Sequence, residues 1–573
     1  MDNTTAKIIL SNLRERIEIG SDGKHRLSGL ITLKELEALD HFISEVAPEP
    51  IAPTRRLEPA AAEAKEQPQK FKPDPVQPVA PEIHLNLSTL SLPESNADYR
   101  VCLDFGTAMS KATFVHDDDD DDLEDIQVLK LGIPGDQENI DEYMLVSSIF
   151  IDADGVLWFG QKAVEQSQTV TEGDHLRMDN IKRALSEGNL GEVLDSRFNP
   201  TSYPLTYEDI VLAYLSFFTW AVNYAVLHDV DAAEVAPNFK RRFAMPCFPR
   251  VNARLVEAKL KQLLGEAQVL ADTFGDDLHQ GLPLESFLAA LKSLRSEKRN
   301  YPFIDGSVTE PLGVAGSLLS WRGSHDSLAL VVDIGAGTSD FSLYRLHVTE
   351  NEDGSFKSVA GEVDGTAHGI TEAGNHLDNI LKAYILSKAK VNAQHPRYIN
   401  IVHALDRDIR HYKEDLFTQG SALVVLYTND AVEVSLDDFL QLDAVKAFGD
   451  SLRSELVKTM QDAHPDWVHW VRANPSRYLT IVLTGGGAAL PMAKKLAEGT
   501  ITAHGITIPV APAKAFPSWL EKDYPDLETP YSRIAVSLGG ARKNIIYPMQ
   551  RPLTATGNGI GGYTLERFPS RGN

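Results

Sequence analysis

Two stretches of this 573-residue chain repeat one pattern. Residues 100–116 read RVCLDFGTAMSKATFVH, and residues 329–345 read ALVVDIGAGTSDFSLYR. Each has an apolar strand-like run ending in an aspartate, a glycine two residues on, small or hydroxylated residues, and a second strand-like run. Asp104 and Asp333 lie 229 residues apart. A turn used twice at that spacing constrains the chain to two similar lobes that bring their turns face to face.

The residue types in those turns suit phosphate. Glycine allows tight turns and close backbone approach, so Gly106, Gly335 and Gly337 can aim N–H groups at phosphate oxygens, with Thr107, Ser110, Thr338 and Ser339 as hydroxyl donors. The two aspartates would stand on opposite sides of the phosphates, where carboxylate oxygens suit Mg²⁺ held partly through water. A third element, TIVLTGGGAALPMAKKLAE at 480–498, reads as a buried strand, the glycines Gly485, Gly486 and Gly487, and a helix from about Pro491. Glycines there would let the backbone lie against a base or ribose. The chain has no G-x-x-x-x-G-K-[ST] segment, and Gly557, Gly559 and Gly562 match G-x-G-x-x-G without the strand–helix context that would give the match meaning.

Along the chain, the first 46 residues read as two short helices, one with Ile8, Ile9, Leu13 and Ile17 on a face and one starting at Thr32. So small a unit is expected to dock on the main body or on a protein partner. Residues 47–97 hold ten of the 31 prolines and read as a Pro/Ala/Glu-rich linker, with Ile83, Leu85 and Leu87 alternating as in a short strand able to join a sheet edge. From residue 98 the pattern is α/β: one lobe over 98–320 with a helical elaboration at 253–300, a second over 321–530, and a closing helix and tail over 531–573.

Composition narrows the partners. With 55 basic and 81 acidic residues the formal net charge is -26, so a broad basic surface for nucleic acid is not expected. Asp117 to Asp122 with Glu124 and Asp125 supply eight of those acids and read as a solvated hairpin tip. Two cysteines, Cys102 and Cys247, each in a strand-like run, predict packed thiols and a reducing compartment. The N-terminus lacks a leader pattern, and the apolar stretch Tyr214 to Leu227 is short for a bilayer span, so a cytoplasmic protein is expected. The 17 histidines show no metal spacing; His368 and His376 read as structural.

Taken together, DFGTAMSK, DIGAGTSDFSL and LTGGGAALP resemble the two phosphate motifs and the adenosine motif of the actin-like ATPase superfamily, most closely the nucleotide-binding domain of the heat-shock protein seventy chaperones. Intervening segments also line up from Tyr99 to Ala541, among them RRFAMPCFP, VTEPLGVAGSLLS, GITEAGNHLDNILKAYI and RIAVSLGGA. The resemblance implies a duplicated ribonuclease H-like fold of two lobes, with ATP or ADP and Mg²⁺ between them. By position it implies Asp104, Asp333 and Asp340 as Mg²⁺-organising residues, Thr107 and Thr338 as phosphate contacts, and Lys182 and Glu310 as catalytic residues alongside Asp333 and Thr338. It implies Lys413 and Gly374 as nucleoside contacts. Arg410, Glu414 and Ala489 depart from the family pattern on the adenosine side.

The function expected is a slow ATPase that works as a chaperone-like conformational switch on a protein partner. After Ala541 only 32 residues remain, too few for the family's peptide-binding module. A nucleotide-controlled assembling protein, a small-molecule kinase of the same fold and a pseudo-ATPase are the alternatives. The TEP segment around Glu310 leans towards the chaperone-like branch.

Overall fold

The computed structural model describes residues 17–19, 25–27, 83–94, 98–117, 124–132, 142–170, 175–229, 235–247, 250–319, 325–350 and 356–542. The chain divides into residues 1–78 and 79–573. In the first unit Ile17–Ile19 pairs antiparallel with His25–Leu27, so Ile17 lies in a strand and not in the expected helix. The rest of the expected helical head, most of the linker, residues 118–123 of the acidic run and the tail beyond Arg542 lie outside the described residues.

The second unit is mixed α/β, built on two sheets. The first contains β1 (Tyr99–Asp104), β2 (Met109–Asp117), β3 (Glu124–Val128), β4 (Lys240–Met245) and β5 (Ile304–Thr309). The second contains β6 (His325–Ile334), β7 (Ser339–Glu350), β8 (Phe356–Glu362), β9 (Leu479–Thr484), β10 (Thr500–Ala503) and β11 (Ile506–Pro512). In the first sheet β1, β2 and β3 form an antiparallel meander, while β4 lies parallel on the other side of β1 and β5 parallel beyond it. The second sheet repeats this: β6, β7 and β8 form the meander, β9 is parallel to β6 and β11 parallel to β9. Strand order and direction therefore coincide around the two turns singled out in the sequence.

Helices cover these sheets, and the strand patterns say how. β1 and β6 carry unbroken apolar runs, residues 101–103 and 328–332, because both faces are buried there. Val101 and Leu103 face one core, Cys102 another. Leu328, Leu330, Val332 and Ile334 likewise face a separate core from Ala329 and Val331. Outside the first sheet lie α1 (Tyr207–Asp229), α2 (Arg250–Phe274) and α3 (Leu284–Arg295); Leu260, Leu263, Leu291 and Leu294 belong to the main core there, so 253–300 is part of the framework and not an ornament on it. Among the described residues one helix, Tyr207–His228, is long and apolar enough to cross a membrane, and most of it is packed inside this core.

Between the sheets sit α4 (Glu310–Leu318) and, near the end of the described chain, α8 (Tyr531–Ala541). Their backbones touch: a Cβ on Gly539 would stand 1.8 Å from the Gly313 carbonyl oxygen. Outside the second sheet lie α5 (Gly374–Lys388), α6 (Tyr398–Gln419) and α7 (Asp443–Asp462).

Two expectations change here. Residues 83–87 form no strand; Ile83, Leu85 and Leu90 pack on the first core, and Asn86 is tied to Thr273 Oγ1 and the Asp272 carbonyl at the end of α2. The acidic run is also not wholly solvated. Asp117 and Glu124 are paired across β2 and β3 and buried, because Arg100 reaches both carboxylates from β1, at 2.5 and 3.1 Å. Arg542 approaches Glu124 from the end of α8.

Candidate functional site

The two hairpins bring their turns together at the C-terminal ends of β1 and β6. In each, the turn aspartate is paired across the hairpin with the residue seven positions later: Asp104 with Lys111, Asp333 with Asp340. Gly106 is required because a Cβ there would stand 2.0 Å from the Met109 carbonyl oxygen. The turns meet at Gly337, where a Cβ would lie 3.0 Å from Thr107 Oγ1. Thr107 and Thr338 thus face one space, with Thr338 donating to Asp340 Oδ2 at 2.9 Å.

The other predicted hydroxyls do not join them. Ser110 is fully buried and engaged with Ser147 and Tyr214, because it alternates to the inner face of β2. Ser339 is also buried and donates to the Glu372 carbonyl.

Four carboxylates and two lysines surround the turns. Asp104, Asp333, Asp340 and Glu310 are all buried. Glu310 starts α4 and is ion-paired with Lys182, which precedes the short helix Arg183–Glu187. Burial opposes the charge on Lys182, but Glu310, Asp104 and Asp340 overcome it and hold its pKa above the ordinary lysine value. Lys111, a residue without an assigned role in the sequence reading, lies 3.3 Å from Asp104 Oδ2. Its signal was its place in DFGTAMSK, on the same strand face as the turn.

The carboxylates on the second hairpin are less well compensated. Burial, followed by the nearby Glu310, Asp340 and Asp104, pushes Asp333 well above the usual carboxylate range, with Lys111 acting the other way. Burial and Glu310 push Asp340 up to about 7, although its oxygens accept from the Cys247 N–H at 3.1 Å and from Thr338. Such a surplus of buried negative charge is what a cation relieves. Among the described residues, no three carboxylate, imidazole or thiol groups are arranged to ligate a metal directly. Asp104, Asp333 and Asp340 offer hard carboxylate oxygens of the kind that suit Mg²⁺ kept partly hydrated.

Cys247 is also relocated. It follows the end of β4 and is half-buried beside Asp340, its thiol raised well above the usual value by burial and then by Asp340. Cys102 is the packed core thiol expected, with its pKa raised by burial.

The glycine run closes the site from β9. Gly485 has φ +77, and a Cβ there would lie 2.4 Å from Asp333 Oδ1, so both conformation and space exclude a side chain. Gly487 donates its N–H to the Ile334 carbonyl at 2.9 Å. These two glycines seat the third element on the second turn; Gly486 alone is exposed, with open space where a Cβ would be.

Gly374 donates to the Gly335 carbonyl at 3.0 Å, placing the start of α5 against the second turn. Lys413 on α6 donates to the Gly374 carbonyl at 3.1 Å and pairs with Asp378 at 2.8 Å. Ala489 and Glu414 are exposed nearby in sequence, whereas Arg410 is half-buried and acts on Asp179, a residue of the first half. His368 is paired with Glu455 and stacks on Phe341, and His376 lies against Phe448, so both serve packing.

The site thus gathers Gly106, Thr107, Gly335, Gly337 and Thr338 on one rim, the carboxylates and Lys182 beneath, and Gly374, Lys413 and Gly486 to the side. The predicted Gly335 donor is not free for this: its N–H donates to the Thr338 carbonyl at 2.9 Å and so closes the turn. Two lysines beside surplus carboxylate suit a polyphosphate carried with a divalent cation. No protein-family model matches the chain, and no curated protein matches it.

Proposed function

We propose that this chain is an ATPase of the actin-like superfamily, with a duplicated ribonuclease H-like fold, that uses ATP as a conformational switch towards a protein partner. The observation that carries this reading is the pair of hairpins with one register and one strand order, meeting at Gly337 and Thr107 over a shared cluster of Lys182, Glu310 and the aspartates. The motif resemblance supplies the identity of the nucleotide.

On this reading the backbone N–H groups and hydroxyls of Thr107 and Thr338 hold the phosphates from both sides. Lys182, kept charged by its carboxylate neighbours, places positive charge where the γ-phosphoryl group and attacking water meet. Glu310 fixes the lysine and accepts from that water. Asp104, Asp333 and Asp340 hold the waters of Mg²⁺, which supplies charge neutralisation to the phosphates. Lys413, Gly374 and Gly486 border the nucleoside. A γ-phosphate touched by both turns gives the closed state contacts that ADP lacks, which is the differential affinity a switch requires.

The test is ATP turnover by the purified full chain, with Asp333→Asn and Lys182→Ala. Turnover should fall at least about 100-fold in both, the scale of removing a group that stabilises transition-state charge. Wild-type rates in both variants would reject the site.

One observation favours the assembling alternative. On the hairpin Ser421–Val425 and Ala431–Ser435, Leu423, Val425 and Tyr427 alternate on an exposed face, with Ala422, Val424 and Leu426 buried on the other. A second copy covering that face predicts ATP-dependent sedimentation, abolished by Leu423→Glu.

A further inference from the structure

The segment from Arg177 to Lys182 is held from both halves of the cleft. On the side of the first sheet, Arg177 makes a two-point contact with Asp179, at 2.5 and 2.9 Å, and Ser148 donates to the same carboxylate at 2.7 Å. Met178 bridges to Ile149. Three residues beyond Asp179, Lys182 is paired with Glu310.

On the side of the second sheet, Asn375 Nδ2 donates to Asn180 Oδ1 at 2.9 Å. Asn375 follows Gly374 at the start of α5, and its own N–H donates to the Ala336 carbonyl in the second turn at 2.7 Å. Arg410, three residues before Lys413 on α6, adds positive charge on this side. Burial opposes the charge of Asp179, yet Arg177, with Arg410 adding to it, holds that carboxyl below its ordinary range. The segment is therefore a strap: one end reaches the Lys182–Glu310 pair, and the middle reaches the start of α5, which also touches the second turn.

We propose that Asn180 is a positioning residue, through which Asn375 holds Lys182 in register with Glu310 only while the two sides of the site are together. The catalytic part of this proposal rests on the ATPase reading. A displacement of the strap of about 1 Å is enough to spoil such a pair. The bond that holds it is one neutral hydrogen bond at the edge of the cleft, assisted by charges that salt screens, so it opens and closes with the halves.

The experiment uses the full chain with Asn180→Ala, Asn375→Ala, the two together, Arg410→Lys and Arg410→Glu. Three quantities are read: the single-turnover rate of ATP hydrolysis, the release rate of fluorescent ADP, and hydrogen exchange of the amides in 175–182. Each alanine variant should lower the first and raise the second about 3- to 10-fold, the range for loss of one hydrogen bond. The double variant should go no further than either single one, since one bond joins them. Arg410→Glu should act in the same direction, since it replaces an attraction on Asp179 by a repulsion, and Arg410→Lys should stay near wild type. Exchange should rise in step.

Wild-type hydrolysis, release and exchange in Asn375→Ala and Arg410→Glu would overturn the proposal, as would fully multiplicative effects in the double variant. If no form binds nucleotide, the ATPase reading fails. Exchange then decides the strap alone: faster exchange at 175–182 in Asn375→Ala and Arg410→Glu supports it, and unchanged exchange overturns it.

Discussion

The two hairpins share a register but not a charge. Across from Asp104 stands Lys111; across from Asp333 stands Asp340. The first turn carries its own counter-charge at 3.3 Å, while the second places two buried carboxylates opposite each other with Glu310 nearby. The same backbone device thus carries its own counter-charge on one side and lacks one on the other. The surplus carboxylates therefore collect at the second hairpin and the basic groups at Lys111 and Lys182.

Neutralising the second hairpin should have the largest effect. Asp333→Asn should remove Mg²⁺-dependent turnover, at least about 100-fold. The same change should raise the thermal midpoint of the nucleotide-free protein by a few degrees at pH 8, measured by calorimetry, since it removes buried repulsion. Asp104→Asn should instead lower that midpoint, because it leaves Lys111 without its partner. Equal shifts in the two variants would erase the asymmetry.

The next effect is on pH dependence. Asp340 has a folded pKa raised from 3.8 to about 7, so in this range the folded state binds more protons than the unfolded one. Its contribution is therefore most favourable below about pH 4 and is lost as pH rises to about 7. Nucleotide-free stability should fall over that window, and Asp340→Asn should flatten the fall. A slope unchanged by the substitution would show that Asp340 is not the group responsible.

Much of this was legible in the sequence. The repeat of a strand, an aspartate and a glycine gave the two turns and, through them, the paired sheets, because hairpin geometry is local. Lys182 and Glu310, 128 residues apart in sequence, came only through the motif resemblance; no local spacing joins them. Lys111 was readable, being the eighth residue of DFGTAMSK as Asp340 is of DIGAGTSD, but its meaning depends on cross-strand pairing. Ser110 and Ser339 show the reverse failure. Their residue type suited phosphate, but strand alternation turned them inward. Asn180 and Asn375 carry no pattern at all, since their roles arise from contact between distant segments.

Smaller effects sharpen the same contrast. Gly485→Ala should weaken nucleotide binding and cost roughly 1–3 kcal/mol of stability in chemical denaturation, from backbone strain against Asp333. Smallest should be Ser110→Ala and Ser339→Ala, with nucleotide affinity within about 2-fold and a stability loss of about 1 kcal/mol each. Thr107→Ala and Thr338→Ala should lower affinity several-fold, as residues that face the space between the turns.

The central claim is that the two turns form one clamp for ATP carried with Mg²⁺. Isothermal titration of the full chain with ATP, with and without Mg²⁺, tests it most directly. The account predicts saturable one-to-one binding that needs Mg²⁺ and is lost in Asp333→Asn. Binding that ignores Mg²⁺ and survives Asp333→Asn, or no binding by the wild-type chain, would contradict it.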